Sequence, residues 1–222
     1  MSGNDENILP LRMRFEKTGL ARYISHLDLM RCFERSLRRA DIPFWFTEGF
    51  NPRPFLTFAL PLSLGYSGLR EAVDIKLTSP MTEDELRARL NAALPYGLRI
   101  TKAAEPVHKP KDIMFSDYRI VFEGHDLASA ISDRLSADEI KAQKKNKKKQ
   151  LVELDIKHLI KSWNVEKDGA DTVLEAVLAS GCAETCNPAL VYGPVLEAIG
   201  EDEGIVDVTR RDILLGGGAS FE

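Results

Sequence analysis

The chain has 222 residues, 44% hydrophobic and 29% charged, with a formal net charge of −4 at pH 7. That balance belongs to a folded globular protein with one large or two smaller domains, and the negative total argues against a general nucleic-acid binder. No run of about 18 apolar residues exists, which excludes a membrane-spanning helix; the opening MSGNDENILP lacks the pattern of a secretion signal, so a cytoplasmic protein with no membrane partner is expected.

In chain order, residues 11–18 (LRMRFEKT) alternate apolar and polar and predict a strand, stopped by Gly19. Ser25 offers an N-cap with Asp28 three residues on, opening a helix over 26–41. Leu27, Met30, Phe33, Leu37 and Ala40 recur at helical spacing as its expected buried face, leaving Arg31, Arg35, Arg38 and Arg39 elsewhere. Pro43 ends it. FWF (44–46) and PFLTFALPL (54–62) predict strand segments, and EAVDIKLTS (71–79) a clean strand. Thr82 and Glu85 form a second capping box before an amphipathic helix over 84–95, and GLRITKAAE (97–105) is a further strand.

The order strand, helix, strand, strand, helix, strand is the ferredoxin-like pattern. A second cycle follows the proline-containing stretch 106–116, expected as a linker: a strand at 117–124, a helix at 126–136, strands at 151–160, 161–167 and 171–179, a helix at 187–200 with Asn187 as cap and Pro188 first, and a strand at 204–215. The predicted fold is α+β: two ferredoxin-like (βαββαβ) halves in tandem, with antiparallel sheets and helices on one face. The first occupies 1–105. The second occupies 117–215 and carries an extra lysine-rich hairpin. The tail GGGASFE (216–222) is expected to fray.

Charge is uneven. Residues 1–110 carry 16 Lys/Arg against 13 Asp/Glu, whereas 111–222 carry 14 against 21. Within 12–57 the count is nine basic to five acidic. The stretch KAQKKNKKKQ (141–150) holds six lysines, fitting a phosphate or acidic-partner clamp or a solvated hairpin tip. No nucleotide-binding glycine loop, G-x-S-x-G elbow or H-E-x-x-H motif is present. Cys182 and Cys186 form a lone C-x3-C, short of the four ligands of a structural metal site, and neither metal nor cofactor is expected.

Two features stand out. His26, in the first helical turn, suits a general acid or base, a phosphate contact, or packing beside Tyr23. The stretch EGFNPRP (48–54) places Asn51 and Arg53 among prolines that force them into extended backbone. It reads either as a rigid lead-in to the following strand or as a preformed arm offering Asn51 and Arg53 to a ligand at low entropic cost.

The segment from Arg12 to Gly65 resembles the opening of a bacterial family known as radical SAM-linked (radical SAM-associated) proteins, a domain of unknown function: a strand, then SHLDLMR (25–31), GFNPRP (49–54) and LPLSLG (60–65). NAALPYGLRI (91–100) also fits, with looser likeness at 147–160, 187–191 and 208–215. The resemblance implies a protein that partners a radical SAM enzyme of the cobalamin type; the C-x3-C-x2-C of such an enzyme is absent here, so the cluster would belong to the partner. The paired outline is also similar to that of CRISPR RNA-processing endonucleases, a likeness of fold alone. The expected role is a non-catalytic accessory that helps bind or present substrate, plausibly RNA, on a face comprising His26, Arg31, Arg35, Arg38, Asn51 and Arg53 with Lys17 and Arg22 nearby. The alternatives are a metal-independent RNA-processing endonuclease using His26, and a protein-interaction module alone.

Overall fold

The computed structural model describes residues 8–145 and 150–222, so residues 146–149 of the lysine-rich stretch 141–150 lie outside the described residues. The chain divides into two units, one up to Pro110 that also takes in Glu222, the other spanning Lys111–Phe221. Both are mixed α+β with antiparallel pairing, and together they hold four α-helices among the described residues.

The first unit contains β1 (Leu9–Lys17), α1 (His26–Arg39), β2 (Leu56–Phe58), β3 (Ser67–Leu77), α2 (Glu83–Ala93) and β4 (Leu98–Ala104), with strand order β4-β1-β3-β2. Alternation in β1 turns Met13, Phe15 and Lys17 to one face and Arg12 and Arg14 to the other. Met13 pairs with Val73 and Ala103, so the apolar positions of three strands coincide. Ser25 Oγ accepts from Asp28 N at 3.2 Å and caps α1. Leu29, Phe33 and Leu37 form the buried row, and Leu27, expected inside, is 64% exposed. At 3.6 residues per turn it lies roughly opposite Leu29, so a helix packed through Leu29 must expose it. Phe33 stacks edge-on against Phe15 (5.1 Å) and Phe58 (5.5 Å), joining α1, β1 and β2 in one aromatic core. Thr82 caps α2, which buries Leu86 and Leu90, and Asn91 locks it to β4 through both hydrogen bonds of the Ile100 main chain. Gly97, at φ +87°, is held so close that an added Cβ would lie 2.4 Å from the Thr18 carbonyl.

On the other face of this sheet Arg12 forks onto Asp74 at 2.7 and 2.8 Å and donates to the carbonyls of His108 and Glu222. Glu222 also accepts from Lys102 (2.8 Å) and Arg70 (3.3 Å) through its carboxylate.

The second unit contains β5 (Ile113–Phe122), α3 (Ala128–Ser136), β6 (Lys141–Lys145), β7 (Leu151–Asp155), β8 (Ile160–Asp168), β9 (Asp171–Ala179), α4 (Pro188–Ile199) and β10 (Val206–Leu215), in strand order β10-β5-β9-β8, with β6–β7 a separate hairpin. β5 begins inside the stretch expected to be linker: Ile113, Ser116 and Tyr118 are buried and draw it into the sheet. Pro194 sits inside α4. It lacks the N–H that would bond the Leu190 carbonyl, and Arg134 of α3 supplies donors instead, to Val191 O (2.9 Å), Leu190 O (3.3 Å) and Lys141 O (2.8 Å). The tail does not fray as expected. Phe221 is fully buried, its N–H bonds Ile213 O, and Leu215 N bonds Ala219 O, so the glycines form a turn rather than a loose end.

Candidate nucleic-acid interface

The exposed side of α1 is built from the residues its core face excludes. Arg31, Arg35 and Arg39 fall four residues apart on one stripe, with anchor points about 6 Å apart along the axis. With Asp28, Cys32 and Pro95 they line a surface depression of about 430 Å³. Arg31 is exposed and pairs with Asp28 at 3.0 Å. The Asp28 carboxyl is held below its ordinary range, first by the Ser25 hydroxyl and then by Arg31. Arg39 donates to Ala93 O (2.7 Å) and Ser36 Oγ (3.2 Å), which fixes it against the end of α2. Arg35 is exposed, with no ion pair among the described residues. Burial pushes the Cys32 thiol up, so it stays protonated in this depression. A second depression of about 430 Å³, between β6–β7 and α4, is lined instead by Lys141, Gln143, Glu153, Leu190 and Glu197 among others. Its lysine pairs with Glu153 at 3.1 Å.

The arm is a stiffened hairpin. Its stem, residues 44–46 and 54–55, is tied by Thr47 N to Arg53 O (2.8 Å), Phe55 N to Trp45 O (3.0 Å) and Trp45 N to Lys76 O (2.8 Å). Cations sandwich both sides: Lys76 Nζ lies 4.8 Å from the Trp45 ring and 4.7 Å from that of Phe55, while Arg38 lies 5.0 Å over Phe46, whose ring meets Phe44 at 4.8 Å. Arg53 N also donates to Thr47 Oγ1, closing the loop. Gly49 takes φ +128°, a conformation only glycine enters readily. Asn51 and Arg53 are exposed at the tip.

The expected residues therefore separate into three groups. Arg31 and Arg35 share the α1 depression, and Arg38 joins α1 to the arm that carries Asn51 and Arg53. His26 is exposed but belongs to the other end of α1. Its ring meets Phe58 edge-on at 5.3 Å. Lys17 and Arg22 leave the set. Lys17 is 1% exposed and donates to Arg22 O at 3.0 Å; Arg22 donates through Nε to Gly65 O and stacks at 5.6 Å on Tyr23. Strand alternation explains Lys17: it shares the parity of Met13 and Phe15. Cys182 is exposed and Cys186 buried, and among the described residues no group of three or more His, Cys, Asp or Glu side chains converges.

Two residues of this surface are absent from the expected binding face. Arg39 is four residues after Arg35, and helical spacing alone identifies it. Phe50, fully exposed at the arm's tip, carries no such signal, because an aromatic beside a strand is ordinarily read as core.

A family profile described as "Uncharacterized protein conserved in bacteria (DUF2344)" matches residues 10–188. No curated protein matches the chain. Among solved structures it is similar to one titled "Crystal Structure of an Unknown Protein from Galdieria sulphuraria", at 12% identity and a TM-score of 0.27, covering 90% of this chain and 96% of that one. With the profile spanning most of its length, the chain belongs to this family of uncharacterized proteins conserved in bacteria.

Proposed function

We propose that the chain is a non-catalytic RNA-binding accessory protein that presents its ligand to a radical SAM enzyme in the cytoplasm, and that its two units are ferredoxin-like halves in tandem. The strand orders β4-β1-β3-β2 and β10-β5-β9-β8 support the second part, since, with the separate β6–β7 hairpin set aside, each places its first and third strands at the centre. One observation carries the first part: Arg31, Arg35 and Arg39 line a single depression on the helix whose Arg38 also braces the arm. Guanidinium groups spaced along one helical stripe suit a run of phosphates. The enzyme partner rests on the sequence resemblance.

The RNA part is tested by binding to total cellular RNA at two salt concentrations. Wild-type affinity falls as salt rises, and the double variant Arg31→Gln/Arg35→Gln flattens the log–log slope by about 1.4, the counterions of two phosphate contacts on single strands. Salt-independent binding, or a double variant with the wild-type slope, rejects it. Co-purification with the radical SAM enzyme, with and without nuclease, tests the partner; absence of the enzyme from both samples removes that part alone.

A further inference from the structure

We propose that Phe50 is a base-stacking residue, and that the nucleic acid held by this chain is therefore single-stranded at the arm. This rests on the RNA reading above and names the form of RNA it takes. Phe50 is fully exposed, yet it is not on a slack loop. One backbone–backbone and one backbone–side-chain hydrogen bond between Thr47 and Arg53, the Phe46–Pro54 bridge and the cation–aromatic sandwiches on both sides of the stem hold the tip in place. Gly49 at φ +128° makes the turn immediately before the ring, with open space around its Cβ position. A stiff stem that carries one bare aromatic ring into solvent forgoes the burial of that ring, and a ligand restores it.

The surroundings select a nucleobase over a protein pocket. Protein anchors sit within an apolar patch whose rim excludes water. Here Glu48, Asn51 and Arg53 at the tip are all exposed, and Phe50, at 107% relative exposure, stands out among these polar groups far more than Phe46 of the stem, at 36%. A single base offers a matching π-face. Asn51 beside it has the donor and acceptor pair that a base edge needs, and Arg53 can meet the adjoining phosphate. In a paired duplex the faces of the bases are covered by their neighbours, and reaching one requires unstacking. An unpaired strand lying along the α1 arginines presents its bases directly.

The test uses the full chain and two probes, a 12-residue oligouridylate and an RNA duplex of the same length, at one fixed salt concentration. Wild type binds the single strand more tightly than the duplex. Phe50→Ala weakens single-strand binding about tenfold to a hundredfold without changing its salt slope, since no charge is lost. Phe50→Trp retains binding. The ring is exposed, so both variants keep the wild-type melting temperature. If Phe50→Ala binds like wild type while Arg31→Gln/Arg35→Gln is weakened, the stacking inference falls and the RNA reading stands. Equal or tighter binding of the duplex also overturns it. If wild type binds neither probe nor cellular RNA, both fall together. A Phe50→Ala variant with intact RNA binding that loses the co-purifying enzyme assigns the ring to a protein pocket instead.

Discussion

Both units insert chain between their first helix and the next strand of the main sheet, and they use it in opposite ways. In the first, residues 44–55 form an arm whose stem is braced by Arg38 and Lys76 and whose tip is bare. In the second, β6–β7 returns to its own unit: Ala142 is buried, Ile156 N bonds Ile140 O, and Asp155 Oδ1 accepts from Ile140 N and Lys157 N. The helices differ in the same sense. α1 spans 14 residues and holds arginines toward solvent, whereas α3 spans nine and turns its Arg134 onto three carbonyls. Arg35 is left available to a ligand, whereas Arg39 and Arg134 are each occupied by backbone acceptors.

The contrast is broken most severely at the cores. Phe33→Ala empties the aromatic junction of α1, β1 and β2 and costs about 3–5 kcal/mol; Ile131→Ala beneath α3 costs about 2–5. Denaturant unfolding measures both, and a Phe33 variant cheaper than the Ile131 one means that the aromatic contacts do not anchor α1. The arginines give the next effect. Arg134→Ala removes the donor to three carbonyls, two of them part-buried, and destabilises by about 1–3 kcal/mol, while Arg35→Ala changes stability by less than about 0.5 and weakens RNA binding. A destabilised Arg35 variant, or a neutral Arg134 variant, reverses the assignment. The smallest effect is at Glu222. Lys102 holds its carboxyl below the ordinary 4.5. A depressed folded pKa stabilises above the unfolded value and is lost as pH falls through the folded one. The advantage of wild type over Glu222→Gln is therefore present at pH 7, about 0.2–1 kcal/mol for so exposed a pair, and disappears in acid below the ordinary carboxylate range. Melting curves at pH 7 and pH 3 read it; an advantage that grows in acid contradicts the pairing.

How far the sequence could be read follows from the range of each signal. Ser25, Thr82 and Asn187 announce their helices because a cap acts over two or three residues. The arm's rigidity is visible because proline fixes its own backbone angle. Lys17 was legible too, since alternation places it inward; its charge drew the opposite reading. The burial of Arg12 could not be seen, because the acceptor that helps cover it, the Glu222 carbonyl, comes 210 residues later. The tail misled for the same reason: three glycines signal freedom, and only Phe221 in its pocket removes it. Phe50 is the reverse case, a residue type that predicts burial, left bare by a turn that closes beneath it.

The bond set around Pro194 constrains how the chain can change over time. While proline occupies that position, the helix cannot bond the Leu190 carbonyl through residue 194, and Arg134 donates to it. Replacing Pro194 with a residue bearing an N–H lets α4 satisfy this carbonyl internally, after which loss of Arg134 costs only its bonds to Val191 O and Lys141 O. Substitution in the opposite order passes through an intermediate with an orphaned carbonyl. Descendants that lack both residues should thus have lost the proline first, and reconstructed ancestors carrying proline without arginine should be the least stable of the four combinations.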